Sequence, residues 1–326
     1  MLCIHSPYND IYFNLAAEEY LFKNFSEDVF ILWRNEPSIV VGKHQNTMAE
    51  INHSFVKRNK VLVARRLSGG GTVYHDEGNL NFTFIARGAE GKLVDFKKFT
   101  RPIQDWLKIY DVETVFEGKN NLTINGKKIS GNAEHVFKNK VLHHGTLLYT
   151  SEMNDLSQAL KVKLDSYKDK AVKSIRSAVT NISPHMNVKM DIKSFQKSLM
   201  NYIKQANTGA KEYQFTENEL LEIQELVSNK YNTWDWIYGY SPSYIFSKTT
   251  ELRLKKLSVS MKVEKGIIVE AKIEGDYFEN GILNKLSKIA VGQPHSLLVF
   301  TSLLEDLPNL NKESIPNEQE LISIFF

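Results

Sequence analysis

The sequence predicts an α+β fold: a large domain of mixed β-sheets with flanking helices over residues 1–245, then a small α+β domain over 246–326. Three observations carry this. Strand and helix patterns are mixed through the first part of the chain. Two capped amphipathic helices follow. After Trp234-Asp235-Trp236 the texture changes to alternating residues on either side of a tight turn.

The length of 326 residues fits one large domain with or without a small companion. At 42% hydrophobic and 24% charged, the composition is that of a folded globular chain. The net charge of +3 gives no reason to expect nucleic-acid binding. The single cysteine, Cys3, excludes an internal disulfide and a cysteine metal cluster. No apolar run approaches the roughly 20 residues a bilayer span needs. The N-terminus lacks a basic region followed by an apolar core, so a cytoplasmic address is expected.

The elements read as follows. Ile11–Phe25 is apolar-rich behind Asp10 and predicts a capped helix. Val29–Arg34 and Ser38–Gly42 read as strands around the turn Asn35-Glu36-Pro37. Thr47-Met48-Ala49-Glu50 has the form of a capping box and predicts a helix running toward Lys57. Val61–Ala64 reads as a buried strand. Leu80, Phe82 and Phe84 alternate with Asn81 and Thr83, the period of a strand with one buried face. Leu122-Thr123-Ile124 runs into Asn125-Gly126, a type I′ hairpin signal, and Lys140–Leu148 reads as a further strand. Asp191 caps a stripe of Ile192, Phe195, Leu199, Tyr202 and Ile203, and Thr216–Glu219 forms a second capping box. In the last part, Leu257–Val263 and Ile267–Ile273 alternate around Glu264-Lys265-Gly266, and a helix is expected near Leu283–Ala290.

Four stretches could carry chemistry. Ser68-Gly69-Gly70-Gly71 lets successive backbone N–H groups form a nest for an anion. On its own this is a flexible loop, but Arg65-Arg66 precede it and Thr72 to Asn79 follow without a break. No Gly-Lys-Ser/Thr closes it, so it is not a nucleotide-binding P-loop. Lys127-Lys128, just after the tight turn, face opposite sides of a strand, and one of them can be a fixed cation. His143 and His144 likewise face opposite sides and cannot chelate one metal together; one is expected in a pocket wall and the other in the structure. The run Lys173 to Ile182 continues the basic character of Lys161 to Lys173.

Together these stretches resemble one family. Arg65-Arg66-x-Ser68-Gly69-Gly70-Gly71-x-Val73-x-His75-Asp76-x-Gly78-Asn79 comes first. Lys128-x-Ser130-Gly131-x-Ala133, then His143-His144-Gly145-Thr146-Leu147-Leu148, then Ser174-x-Arg176-Ser177-x-Val179-Thr180-Asn181 follow in order. The set is similar to the lipoate–protein ligase A family in its two-domain bacterial form. The resemblance implies a biotin/lipoate ligase-like fold and an ATP-dependent, AMP-forming ligase. Such an enzyme joins lipoate to ATP as lipoyl-AMP, releases pyrophosphate, and passes the lipoyl group to a carrier lysine. It implies Lys128 as the catalytic cation that touches both the lipoyl carbonyl end and the adenylate phosphate. Arg66, Gly71, Thr72, Val73, Tyr74 and Asn79 would hold the nucleotide. Arg66, Ser68, Gly69, Gly70 and His144 would hold lipoate; Val73, Tyr74 and Phe82 could line the tunnel for its tail or, equally, pack in the core. ATP with Mg²⁺ is expected, and no tightly bound cofactor. The implied acceptors are lipoyl domains of 2-oxoacid dehydrogenase acyltransferase subunits and the glycine cleavage H protein. Neither nucleic acid nor membrane is an expected partner, and a monomer is expected. Residues 168–182 are expected to form a loop that orders over the adenylate. The sequence departs from the family at Asn121, where an acidic residue is usual, and at Ala178, where a second arginine is common.

Two other functions compete with this one. An octanoyl or lipoyl transferase of this fold needs a cysteine nucleophile, and Cys3 lies far in sequence from every motif. A non-catalytic lipoate- or nucleotide-binding homologue is the other. A biotin ligase's Gly-Arg-Gly-Arg loop is absent.

Overall fold

The computed structural model describes residues 1–88, 93–160, 164–278, 280–307 and 315–326. Lys161 and Lys163 of the basic run lie outside them. In chain order the strands are β1 (Leu2–His5), β2 (Val29–Trp33), β3 (Ser38–Val41), β4 (Leu62–Arg65), β5 (Val73–His75), β6 (Asn79–Arg87), β7 (Val115–Glu117), β8 (Asn121–Ile124), β9 (Lys127–Phe137), β10 (Lys140–Leu148), β11 (Tyr167–Asp169), β12 (Lys211–Glu212), β13 (Tyr244–Leu252), β14 (Lys255–Glu264) and β15 (Ile267–Gly275).

The chain forms two compact units. The first holds Met1–Lys43, Leu62–Gln158 and Ser174–Asn232; the second holds His44–Val61, Ala159–Lys173 and Thr233–Phe326. This division differs from one boundary near residue 245. The reason is burial and pairing: Met48, Ala49 and Tyr167 sit in the second unit's core, and β11 pairs with β13.

The first unit is built on an eight-stranded sheet in the order β12-β1-β2-β6-β10-β9-β8-β7, beside a three-stranded sheet β4-β3-β5. The helix α1 (Ile11–Asn24) starts where the Asp10 side chain accepts the Phe13 N–H. Nearly all of α1 is buried, including Glu18 and Glu19. Glu19 is held by Lys23 and Lys230, each at 2.6 Å, and by the Tyr231 hydroxyl at 2.7 Å. β8 and β9 join through Asn125-Gly126, whose φ values of 49° and 71° are those of the predicted type I′ turn.

The two faces of the large sheet differ in chemistry. One carries Phe82 and Phe84, packed with Phe99, Ile103 and Trp106 of the helix Phe96–Lys108 and with Phe195 and Leu199 of the helix Ile192–Ala206. Each such side chain contributes roughly 1.5–3 kcal/mol by leaving water. Phe82 therefore belongs to this core, not to a tunnel among the motif residues. The other face carries Asn79, Asn81 and Thr83 of β6, with His144 directly opposite Thr83 on β10. These are buried as well.

In the second unit, β13, β14 and β15 form an antiparallel meander, with Lys265 and Gly266 (φ 50° and 76°) making the turn between the last two. Phe246, Leu257, Val259, Met261, Val263 and Ile273 face the core with residues of the helices Asn280–Ala290, Leu297–Glu305 and Glu318–Phe325. The capping box expected at Thr47 does not form. Asn46 is the cap, and its side chain accepts the Met48 N–H. Thr47 Oγ1 instead donates to the Ile237 carbonyl at 2.6 Å. The helix stops at Glu50 because Ile51 is extended, and a second one, His53–Asn59, starts on Asn52.

Candidate functional site

The Ser68–Gly71 turn leaves β4 and enters β5, and both strands pair with β3. Gly70 adopts φ +89°, a conformation glycine takes without steric cost. Arg66 is buried and organises the turn from within. Its Nε donates to Ser68 Oγ at 3.0 Å, Nη1 to the Val40 carbonyl at 3.0 Å, and Nη2 to the Gly69 and Gly71 carbonyls, both at 2.7 Å. Burial lowers its pKa to about 10, against the pull of Glu18. Arg65 is also buried, and donates to the Gly42 and Lys43 carbonyls at 3.0 Å. The Arg66 guanidinium thus braces the glycine turn that presents the amides.

Ser68 links the turn to the polar face. Its Oγ lies 2.6 Å from His144 Nε2, and His144 Nδ1 lies 3.0 Å from Glu18 Oε1. Glu18 Oε1 also accepts from Thr83 Oγ1 at 2.5 Å, and Thr83 Oγ1 accepts from Trp33 Nε1 at 2.9 Å. His144 Nδ1–H donates to Glu18, and Arg66 Nε–H donates to the same Ser68 oxygen that meets His144 Nε2. The two histidines separate as expected. His143 points the other way, stacked between Phe82 and Phe99 at 6.0 and 5.0 Å and 2.9 Å from Glu134.

His75 closes the loop motif in a fixed tautomer. The Asn14 amide donates to Asn35 Oδ1 at 2.8 Å, so Asn35 Nδ2 donates to His75 Nδ1 at 2.8 Å. Nε2 then carries the proton, and it has no partner among the described residues. Burial, then the charges of Arg66 and His144, push the His75 pKa down to about 3. Asn79 is buried and donates to Asn81 Oδ1 at 2.9 Å. Tyr74 is buried, while Thr72 N–H donates to Ser174 Oγ at 2.9 Å.

Lys128 follows the type I′ turn. Lys127 is exposed and Lys128 half-buried, as neighbours on opposite sides of a strand. The Lys128 backbone is fixed by the segment Ala178–Thr180: its N–H donates to the Ala178 carbonyl at 2.8 Å, and Thr180 N–H donates to the Lys128 carbonyl at 3.0 Å. The side chain runs along β9 toward Gly131. Gly131 and Ala133 share a face, and Ala133 is directly opposite His144. The Lys128 ammonium is thus on the same face as His144 and Asn81. Burial and the charge of Arg66 both lower its pKa. At the two departures, Asn121 pairs with Gly131 in the β8–β9 ladder and Ala178 serves through its carbonyl.

The structure therefore gathers Lys128, Ser68, His144 and Asn79 on one polar face with the glycine turn beside them, and places Arg66 beneath that turn. Sequence reasoning missed Glu18, and it placed Ser174 in the last motif without its contact to Thr72. The signal for Glu18 was the pair of carboxyl groups, Glu18 and Glu19, in the otherwise apolar run Leu15 to Phe22; a hydroxyl reaching Thr72 from 102 residues away leaves no local signal.

Two family models match in series. Residues 10–204 match the lipoyl protein ligase A/B catalytic domain, and residues 241–324 match the bacterial lipoate protein ligase C-terminus. The Bacillus subtilis lipoate-protein ligase LplJ is 38% identical over 91% of both chains. Among solved structures, Plasmodium falciparum LipL1 in complex with lipoate superposes with a TM-score of 0.63 at 27% identity, covering 99% of this chain and 98% of that one. The bipartite lipoate protein ligase of Thermoplasma acidophilum, studied with its E2 lipoyl domain, gives a TM-score of 0.60 at 25% identity, covering 73% of this chain and 96% of that one. With both domains matched in order and a relative this similar along nearly its whole length, the chain belongs to the bacterial two-domain lipoate–protein ligase family.

Proposed function

We propose that the protein activates lipoate with ATP and transfers the lipoyl group to a lysine of lipoyl-carrier domains, including the glycine cleavage H protein, acting as a monomer. In the first step a lipoate carboxylate oxygen attacks the α-phosphorus of ATP. The new P–O bond gives lipoyl-AMP, and pyrophosphate leaves. In the second step the acceptor's neutral lysine amine attacks the lipoyl carbonyl. A C–N bond forms, the C–O bond to AMP breaks, and the amine proton leaves with the products.

The first step brings together two anions, whose repulsion a fixed cation and N–H donors offset. The observation that carries the reading is the Lys128 ammonium, held half-buried on the face that also carries His144. Its role is charge stabilisation; the nucleophiles are the lipoate oxygen and then the acceptor amine. The Gly69–Thr72 amides are the donors, kept in place by Arg66 from below. Ser174 sits on the Thr72 amide, so the nucleotide takes that donor only when Ser174 gives it up. Mg²⁺ belongs to the substrate as the counter-ion of the ATP phosphates, and the described residues bring together no cluster of three or more His, Cys, Asp or Glu.

The test incubates the protein with MgATP, lipoate and an E2 lipoyl domain and follows products and acceptor mass. Expected are one lipoyl group on the acceptor lysine and stoichiometric AMP and pyrophosphate. A Cys3→Ser variant should match the parent, because the buried Cys3 has no part in the chemistry. ADP as product, or loss of transfer in Cys3→Ser, would contradict the reading.

A further inference from the structure

Gly131 is a glycine whose backbone does not ask for one: it is not among the residues with left-handed φ. What singles it out is a neighbour. A Cβ built on Gly131 would lie 2.6 Å from Lys128 Nζ and 2.8 Å from Lys128 Cε. Carbon does not approach those atoms so closely without something moving.

The surrounding bonds decide what moves. Gly131 N–H donates to Thr146 Oγ1 at 3.1 Å on the β10 side. On the β8 side, Asn132 N–H and the Asn132 side chain both donate to the Asn120 carbonyl, at 2.9 and 3.0 Å. The backbone of β9 is therefore clamped from both edges. Lys128 Cα is no freer, since its own N–H and carbonyl are bonded to Ala178 and Thr180. The four-carbon stem of the lysine, with its rotatable bonds, is the softest part of the arrangement.

We propose that Gly131 is a positioning residue for Lys128: the empty space above its Cα is the channel in which the lysine stem lies, and any side chain there swings the ammonium away from the adenylate. This rests on the reading of Lys128 as the cation that meets the adenylate.

The test is a double-mutant cycle on affinity for a non-hydrolysable sulfamoyl analogue of lipoyl-AMP, measured by titration calorimetry on Gly131→Ala, Lys128→Ala and the double variant. Lys128→Ala and Gly131→Ala should each weaken binding by about ten- to a hundredfold, the scale of one charge-assisted contact. The double variant should bind no more weakly than Lys128→Ala, because Gly131 acts only through the lysine. Gly131→Ala should keep the parent's urea midpoint. Three results would overturn the inference while leaving the role of Lys128 intact: parent-like binding by Gly131→Ala, losses that multiply in the double variant, or an unfolded Gly131→Ala. Parent-like binding by Lys128→Ala would overturn the reading on which it rests.

Discussion

At the scale of single residues, the glycine turn is braced by buried side chains. Arg66 has the charge and shape of an anion clamp, yet its guanidinium satisfies Ser68 Oγ and the carbonyls of Val40, Gly69 and Gly71. Lysine cannot reproduce that fork. Arg66→Lys should lower the unfolding free energy by about 2–4 kcal/mol, because buried carbonyls lose their donors. It should also raise KM for ATP as the turn loosens. Urea unfolding and initial rates check both, and an unchanged midpoint would mean that the turn stands without the arginine. The motif was legible in the sequence, but the direction of Arg66 was not: a donor-rich side chain beside a glycine turn suits either a ligand or the turn's own carbonyls. The same holds for His144. Its partners Ser68 and Glu18 lie 76 and 126 residues away, and no local pattern joins them.

At the scale of elements, β9 does two jobs with its two faces. One face holds the Lys128 stem over Gly131; the other supports the aromatic core. Gly145, on the neighbouring strand, belongs to the core side: a Cβ there would meet Asn132 Oδ1 and come within 2.6 Å of the Phe82 ring. A ring clamped in the sheet cannot swing aside as a lysine stem can. Gly145→Ala should therefore cost about 1–3 kcal/mol of stability by overpacking. The contrast with Gly131→Ala, which should lose ligand affinity but keep its stability, can be read in one urea series. Equal stability losses in the two variants would show that the faces do not differ in this way. Elements with local determinants were legible: the Asn125-Gly126 turn, the Asp10 and Asp191 caps and the β14–β15 hairpin stand where the sequence puts them. The alternation in β6 was legible only in part. Asn81 and Thr83 read as a solvent face but are buried, because that face meets polar groups such as Glu18 instead of water. Thr47 misled because its hydroxyl found a tertiary partner, Ile237.

At the scale of the whole molecule, buried titratable groups set the response to acid. Burial holds His75, His143 and His295 near pKa 3 and His53 near 4, all below the ordinary value of 6.5. The unfolded chain takes up these protons below pH 6.5, and the folded chain does not until pH 3–4. Their contribution is complete above pH 6.5 and is lost as the pH falls. Glu134 runs the other way. Burial raises its carboxyl pKa to about 7, so the folded chain holds a proton between pH 4.5 and 7 that the unfolded chain lacks. The histidines outnumber the one carboxyl, so the unfolded chain binds more protons and stability should fall as the pH drops from 6.5 toward 4.5. Urea midpoints from pH 7.5 to 5 measure the slope, and a flat profile would mean that these histidines protonate inside the fold.

The central claim is that Lys128 supplies the cation for joining lipoate to ATP, and the most direct test is lipoate-dependent exchange of labelled pyrophosphate into ATP. The parent and Lys127→Ala should exchange at similar rates, because Lys127 is exposed on the opposite side of β9. Lys128→Ala, with its fold intact, should lose about a hundred- to a thousandfold. Equal losses in the two variants, or exchange that survives in Lys128→Ala, would contradict the account.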